Sequence, residues 1–247
     1  MKITFLGSSH GVPAADRYCS CTMLEIGNSL YFIDAGCPLL DVLLRRGEDL
    51  KRVRAVFTTH LHGDHVYGLF SFIDLCNWYF KDVHAGIYLT EQAGIDDFCH
   101  LIMTTQGIPL DHERLPFHLV QAGLVYEDEN IRITAIPTRH LAHSNRPSFA
   151  YLVEAEGKRI LFTGDLSNHL AENDFPVLPL EENVDLMISE MAHFNVNEFS
   201  PYLARCKTKQ VIFNHVFPLE KIPQIAALDG KYGYPIHPVE DNETFEL

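Results

Sequence analysis

The stretch T-H-L-H-G-D-H, Thr59 to His65, crowds four metal-binding side chains, His60, His62, Asp64 and His65, into six positions. A histidine standing alone is ordinarily a core or surface residue with its hydrogen bonds met, and the chain has 14 of them. A cluster at this spacing is different. Side chains at i and i+2 of an extended segment point the same way, so His60 and His62 can grip one ion. Gly63 permits a sharp turn that can send Asp64 and His65 toward a second position. The apolar pattern of Val66, Leu69, Phe70 and Ile73 predicts a helix across 64–78, and its first N–H groups would favour anionic ligands nearby.

Two ligands do not close a catalytic site, which typically takes about three protein ligands and keeps a position for water. The remaining donors must come from other segments. Polar residues end several apolar runs: P-T-R-H with His140, F-T-G-D with Asp165, I-S-E with Glu190 and F-N-H with His215. Layered α/β proteins place ligand chemistry at such strand ends. A carboxylate such as Asp165 can bridge two ions with its two oxygens. The expected grouping is His60, His62, His140 and Asp165 around one cation, and Asp64, His65, His215 and Asp165 around the other. Mixed nitrogen and oxygen ligation suits zinc, with manganese or iron as alternatives.

The elements that must position these residues follow from periodicity. Residues 2–6 alternate as a strand and G-S-S-H-G-V-P breaks it. T-M-L-E-I, G-N and S-L-Y-F-I-D read as a hairpin with a Gly-Asn turn. Residues 38–46 predict a short helix ending near Gly47. V-R-A-V-F-T-T is a buried strand that delivers the histidine cluster, H-A-G-I-Y-L is another strand, and 90–103 a helix. The stretch from Gly107 to Gln121 reads as an irregular loop. I-R-I-T-A-I-P, S-F-A-Y-L-V-E-A and K-R-I-L-F-T-G-D are successive strands, the last two joined by a tight turn at E-G-K. D-L-M-I-S-E, a helix near 197–206, Q-V-I-F-N-H and a helix near 219–228 complete the chain. This order predicts an α/β fold, an αββα four-layer sandwich, built as a single domain over 1–247 without internal repeat.

Composition sets further bounds. The chain has 247 residues, 47% of them hydrophobic, enough for a large core. No run approaches the roughly 18 apolar residues that would cross a membrane, and M-K-I-T-F-L-G carries no signal-peptide pattern, so a cytoplasmic protein is expected. A net charge of −14 argues against nonspecific nucleic-acid binding. The six cysteines are scattered, with Cys19 and Cys21 as C-x-C, and are expected to be reduced. The segment from Leu69 to Phe80 carries more apolar surface than a one-sided helix needs. Core, pocket wall and homodimer contact are its three readings, core first.

T-H-L-H-G-D-H resembles the H-x-H-x-D-H signature of the metallo-β-lactamase superfamily. F-L-G, F-I-D-A-G, His140, F-T-G-D and I-F-N-H follow in that family's order over nearly the whole chain. The resemblance implies an αββα sandwich, two metals sharing a hydroxide made from water, and hydrolysis. R-H-L-A-H offers both His140 and His143. I-T-A-I-P-T-R-H is similar to the strand ending of related phosphodiesterases, which favours His140 and leaves His143 in a loop, facing substrate. Asp34 of F-I-D-A-G is, by resemblance, a residue that orients a ligand; a turn aspartate is the plain alternative.

No G-H-T-x-G loop of the thioesterase branch follows His140. F-A-Y and F-L-G-S-S-H-G-V-P are similar instead to ribonuclease Z and small phosphodiesterases. In that branch M-A-H-F resembles the A-H-S-T motif only through A-H, which implies proton transfer to the leaving group by His193; Glu190 is a weaker candidate. Asp64 and His193 are thus the candidate catalytic residues. A basic tRNA-gripping arm and the cysteine zinc insert of the carbon–phosphorus lyase phosphodiesterase are both missing. The expectation is a phosphodiesterase acting on a small anionic molecule, with Arg139 and Arg146 as candidate phosphate contacts. The alternatives are an RNA 3′-end endonuclease and a non-hydrolytic metal-binding member of the fold.

Overall fold

The computed structural model describes residues 1–12, 14–168, 170 and 174–247. They form two compact units, one of Met1–Gly7, Pro13–Val120 and Asp241–Leu247, the other of Ser8–Val12 and Gln121–Glu240.

The first unit holds strands β1 (Lys2–Gly7), β2 (Cys21–Ile26), β3 (Ser29–Ile33), β4 (Val53–Phe57), β5 (Gly86–Leu89), β6 (Phe117–Leu119) and β14 (Thr244–Glu246). Their order in the sheet is β14-β1-β2-β3-β4-β5-β6. Pairing is antiparallel from β14 to β3 and parallel from β3 to β6. Ile26 pairs with Ser29, which leaves Gly27 and Asn28 as the two-residue turn the sequence predicts. Helices α1 (Leu39–Arg46), α2 (Gly63–Val66), α3 (Leu69–Trp78) and α4 (Gln92–Gln106) follow strand ends. Helix α1 stops at Gly47, whose left-handed φ of 72° brings its N–H to the Leu44 carbonyl.

Two expectations are corrected here. The helix expected over 64–78 is two helices, broken at Tyr67–Gly68. Gly68 abuts the first-helix approach so closely that a Cβ there would lie 1.7 Å from the Cys37 carbonyl oxygen, and its N–H bonds the Ala35 carbonyl at 2.8 Å. The loop expected from Gly107 to Gln121 contains β6, three residues long, whose pairing with β5 supplies what periodicity could not show. Leu69, Phe72, Ile73 and Cys76 enter the core beside β4 and β5, whereas Trp78 and Tyr79 are exposed.

The second unit holds β7 (Gly123–Glu127), β8 (Arg132–Pro137), β9 (Phe149–Ala155), β10 (Lys158–Phe162), β11 (Leu186–Met191), β12 (Val211–Val216) and β13 (Ile236–Pro238). Helices α5 (Leu178–Glu181), α6 (Val196–Leu203) and α7 (Ile222–Ala226) accompany them. The sheet order is β13-β12-β11-β10-β9-β8-β7. Pairing is antiparallel from β7 to β10 and parallel from β10 to β13. Ala155 pairs with Lys158 across Glu156 and Gly157, both at positive φ, the E-G turn expected from sequence. Both sheets therefore change from antiparallel to parallel after a hairpin, a shared pattern that the residue types do not display. All six cysteines are free thiols, and among the described residues no helix is long and apolar enough to cross a membrane.

Candidate metal centre

In the first unit, β3 and β4 run parallel and their C-terminal ends carry the polar cluster. Asp34, directly after β3, adopts a left-handed φ of 62°, and its N–H bonds the Phe57 carbonyl at 2.8 Å. That backbone aims its carboxylate across the end of β4. One oxygen, Oδ1, accepts the Thr59 N–H at 2.8 Å; the other, Oδ2, lies 2.7 Å from His65 Nδ1. The Asp34 contact fixes His65 as the tautomer with its proton on Nδ1, leaving Nε2 as the donor atom, 3.6 Å from Asp64 Oδ2. Ring centroids of His60 and His62 lie 4.6 Å apart, and those of His60 and His65 4.1 Å. His60 and His65 are buried, Asp64 nearly so, and His62 half-buried. Four side chains able to ligate a cation thus meet at one strand end.

In the second unit the parallel half of the sheet does the same work. Asp165 follows β10 through Gly164, whose φ is 58°. Its Oδ2 lies 3.7 Å from His140 Nε2, 3.9 Å from His193 Nε2 and 3.4 Å from His215 Nε2. Asp165 is only 3% exposed, so three imidazole nitrogens surround one buried carboxylate oxygen. The second ring nitrogens are engaged elsewhere. His140 Nδ1 donates to the Leu166 carbonyl at 3.1 Å, and His193 Nδ1 lies 2.8 Å from Glu190. Burial, aided by the neighbouring His193, holds the His140 pKa below the usual imidazole value and so favours the neutral ring a metal requires. His215 reaches its place with a left-handed φ of 52° and donates its N–H to the Ser8 carbonyl at 3.0 Å.

Glu190 is more central than its sequence standing suggested. It accepts the Leu166 N–H at 2.6 Å, the Ala192 N–H at 2.8 Å and the His193 N–H at 3.0 Å, besides the His193 ring. So saturated, it serves to orient His193. His143 is exposed and lies away from Asp165; it lines a cavity of about 310 Å³ together with Arg139, His140, Ser167, Asp174 and His193. Arg146 does not line that cavity.

Two residues escaped the sequence reading. The His10 ring stacks on Phe217 at 4.7 Å and lies 5.0 Å from the His215 ring, yet its setting in S-S-H-G has no ligand spacing. Asp174 accepts the Arg139 N–H at 2.6 Å and also that of Ser167, tying the loop before His140 to the loop after Asp165. Burial raises the Asp174 pKa against those two bonds. Its partners are far off in sequence, which is why no motif marks it.

The same arrangement of strands occurs in known proteins. The metallo-beta-lactamase fold protein YhfI from Bacillus subtilis superposes with a TM-score of 0.77 at 19% identity, over 99% of each chain. A diphosphatase from the PhnP family superposes with a TM-score of 0.70 at 17% identity, over 100% of this chain and 97% of that one. In sequence, Ribonuclease BN of Proteus mirabilis (strain HI4320) is 30% identical over 161 residues, 64% of this chain and 51% of that protein. The chain spans about half the length of the curated relatives it matches. The solved structures define the class by fold: an α/β protein of the metallo-β-lactamase fold. Within that class, the family described as "Anti-Pycsar protein Apyc1" matches residues 1–176, and the chain belongs to that family.

Proposed function

We propose that this chain is a metal-dependent phosphodiesterase that hydrolyses a small anionic phosphodiester. The observation that carries the reading is the buried Asp165 oxygen with three imidazole Nε2 atoms within 3.9 Å of it. A carboxylate buried among imidazole nitrogens offers a set of cation ligands, and a bound cation would offset the cost of burying its charge. The donor set fits divalent metal: ring nitrogens turned toward carboxylate oxygens, with the other ring nitrogens of His65 and His140 on Asp34 and Leu166. We assign His60, His62, Asp64 and His65 of the first unit, and His140, Asp165 and His215 of the second, as metal ligands, with zinc preferred. When bound, the cations supply Lewis acidity toward phosphoryl oxygens and a nucleophile at neutral pH.

The chain's own groups do the rest. Asp64, beside His65 Nε2, holds an acceptor oxygen where a nucleophile's proton can be oriented. His193 gives its Nε2 proton to the leaving oxygen, and Glu190 on Nδ1 stabilises the protonated ring. Arg139 and His143 stand in the cavity next to His193, where a leaving group would lie. The biological setting we infer is the one in the family description, action against Pycsar.

A second reading, cleavage near RNA 3′ ends, is favoured by the ribonuclease names of the sequence relatives. The acidic net charge of −14 weighs against it. One assay separates them: hydrolysis of bis-p-nitrophenyl phosphate and of a tRNA precursor by metal-loaded protein, with His60→Ala as control. Diester turnover that vanishes in the variant supports the proposal, and faster RNA cleavage transfers it to the second reading. Inactivity with zinc, manganese and iron alike overturns both.

A further inference from the structure

Lys221 is a buried lysine, 8% exposed, whose Nζ donates to the carbonyls of Met191 at 3.0 Å, Ala192 at 3.0 Å and Phe194 at 2.7 Å. Three bonds use all the donors an ammonium has. The three carbonyls straddle His193. From the other side of the same segment, Glu190 accepts the N–H groups of Ala192 and His193 and holds the His193 ring. The segment between β11 and α6 has no regular structure of its own, so its carbonyls depend on side-chain donors. Burying an ammonium is costly, and an apolar residue of similar length would fill the space without that cost. Glu190 and Glu198 are the carboxylates whose charge acts on it. Lys221 also follows the segment after β12, where the Phe217 N–H meets the Met191 carbonyl at 3.4 Å, so it joins the loop bearing His193 to the loop after His215.

We propose that Lys221 is a positioning residue for leaving-group protonation: its three-carbonyl brace and the Glu190 carboxylate together hold His193 with Nε2 presented to the substrate. The proposal rests on the phosphodiesterase reading with His193 as the acid.

The test compares Lys221→Met, Lys221→Gln and His193→Gln in the metal-loaded full chain, using methyl aryl phosphodiesters whose leaving groups run from p-nitrophenolate to phenolate. A nitrophenolate leaves without help, whereas a phenolate needs the proton. Lys221→Met should lose less than about 3-fold in kcat with the first and about 10- to 100-fold with the second, with KM nearly unchanged. His193→Gln should show the same grading, the double variant should be no worse than His193→Gln alone, and bound metal should stay at the wild-type level. If Lys221→Met does not fold, Lys221→Gln, which keeps two donors, carries the same readouts.

Loss that is equal for every leaving group in the Lys221 variants, beside a graded loss in His193→Gln, overturns the proposal and leaves the phosphodiesterase reading intact. Should the wild type hydrolyse no diester, or His193→Gln show no grading, that reading fails. The brace is then judged by NMR of ¹⁵N-histidine-labelled protein. A His193 Nδ1–H resonance present in the wild type and displaced in Lys221→Met supports it, and an unmoved resonance overturns it.

Discussion

Asp34 Oδ2 lies 2.7 Å from His65 Nδ1, and both residues are buried. The contact joins the end of β3 to the start of α2 and chooses which ring nitrogen of His65 faces outward from the pair. Asp34 reaches it only by taking a left-handed backbone that a non-glycine residue rarely adopts.

Asp34→Ala should therefore weaken metal binding about 10- to 100-fold, without abolishing folding. Competition against a chromogenic chelator measures the change. Asp34→Asn should do less harm, since asparagine tolerates the same backbone and can accept from the His65 ring. Equal affinity in wild type and Asp34→Ala would remove Asp34 from the metal centre.

The two histidines of R-H-L-A-H should separate cleanly. His140 stands against Asp165 and His143 is exposed in the cavity. His140→Ala should lower bound metal and remove activity, while His143→Ala should keep its metal and alter KM. Metal analysis of the purified variants decides; full metal in His140→Ala with loss in His143→Ala would exchange their roles.

Gly68→Ala should destabilise the protein by about 2–3 kcal/mol, because the new methyl would meet backbone atoms of Cys37 and Leu39 that cannot give way. Gly47→Ala meets nothing within 4 Å and should cost about 1 kcal/mol, from its left-handed φ of 72° alone. Urea denaturation compares the two, and an equal loss would mean that the close approach at Gly68 is relieved by movement.

Glu25 adds a pH dependence. Its hydrogen bond from Arg52 holds the carboxyl below its usual range against the opposing effect of burial, and Lys2 assists at 3.3 Å. A carboxylate depressed in the folded state stabilises above its unfolded pKa, and that contribution is lost as pH falls through the folded value. Glu25→Gln should cost about 1 kcal/mol at pH 7, with the gap to wild type closing below about pH 4. Urea denaturation across pH 3 to 7 measures it; a gap that stays constant would contradict the assignment.

Much of the fold was legible because the hairpins declare themselves: Gly27, at positive φ, turns with Asn28, and Glu156 and Gly157 are both at positive φ, each pair between apolar runs. Strands β6, β7, β13 and β14 were not legible. They are short or weakly buried, and partners elsewhere in the sheet define them. The break between α2 and α3 was hidden for a related reason, since the apolar period runs through Gly68 while the close approach to Cys37 does not show in it.

At the candidate site, the sequence by itself determined which candidate ligand types lie at strand ends, because a polar residue closing an apolar run falls where the strand leaves the core. The same local logic cannot say what holds each donor. Asp34 is 31 positions from His65, the Leu166 carbonyl 26 from His140, and Lys221 27 from the Phe194 carbonyl it bonds. Ring tautomer, the saturation of Glu190 and the brace around His193 are products of parallel strands brought side by side. Hydrogen bonds act over about 3 Å of space whatever the separation along the chain, and only the tertiary structure decided which groups came that close.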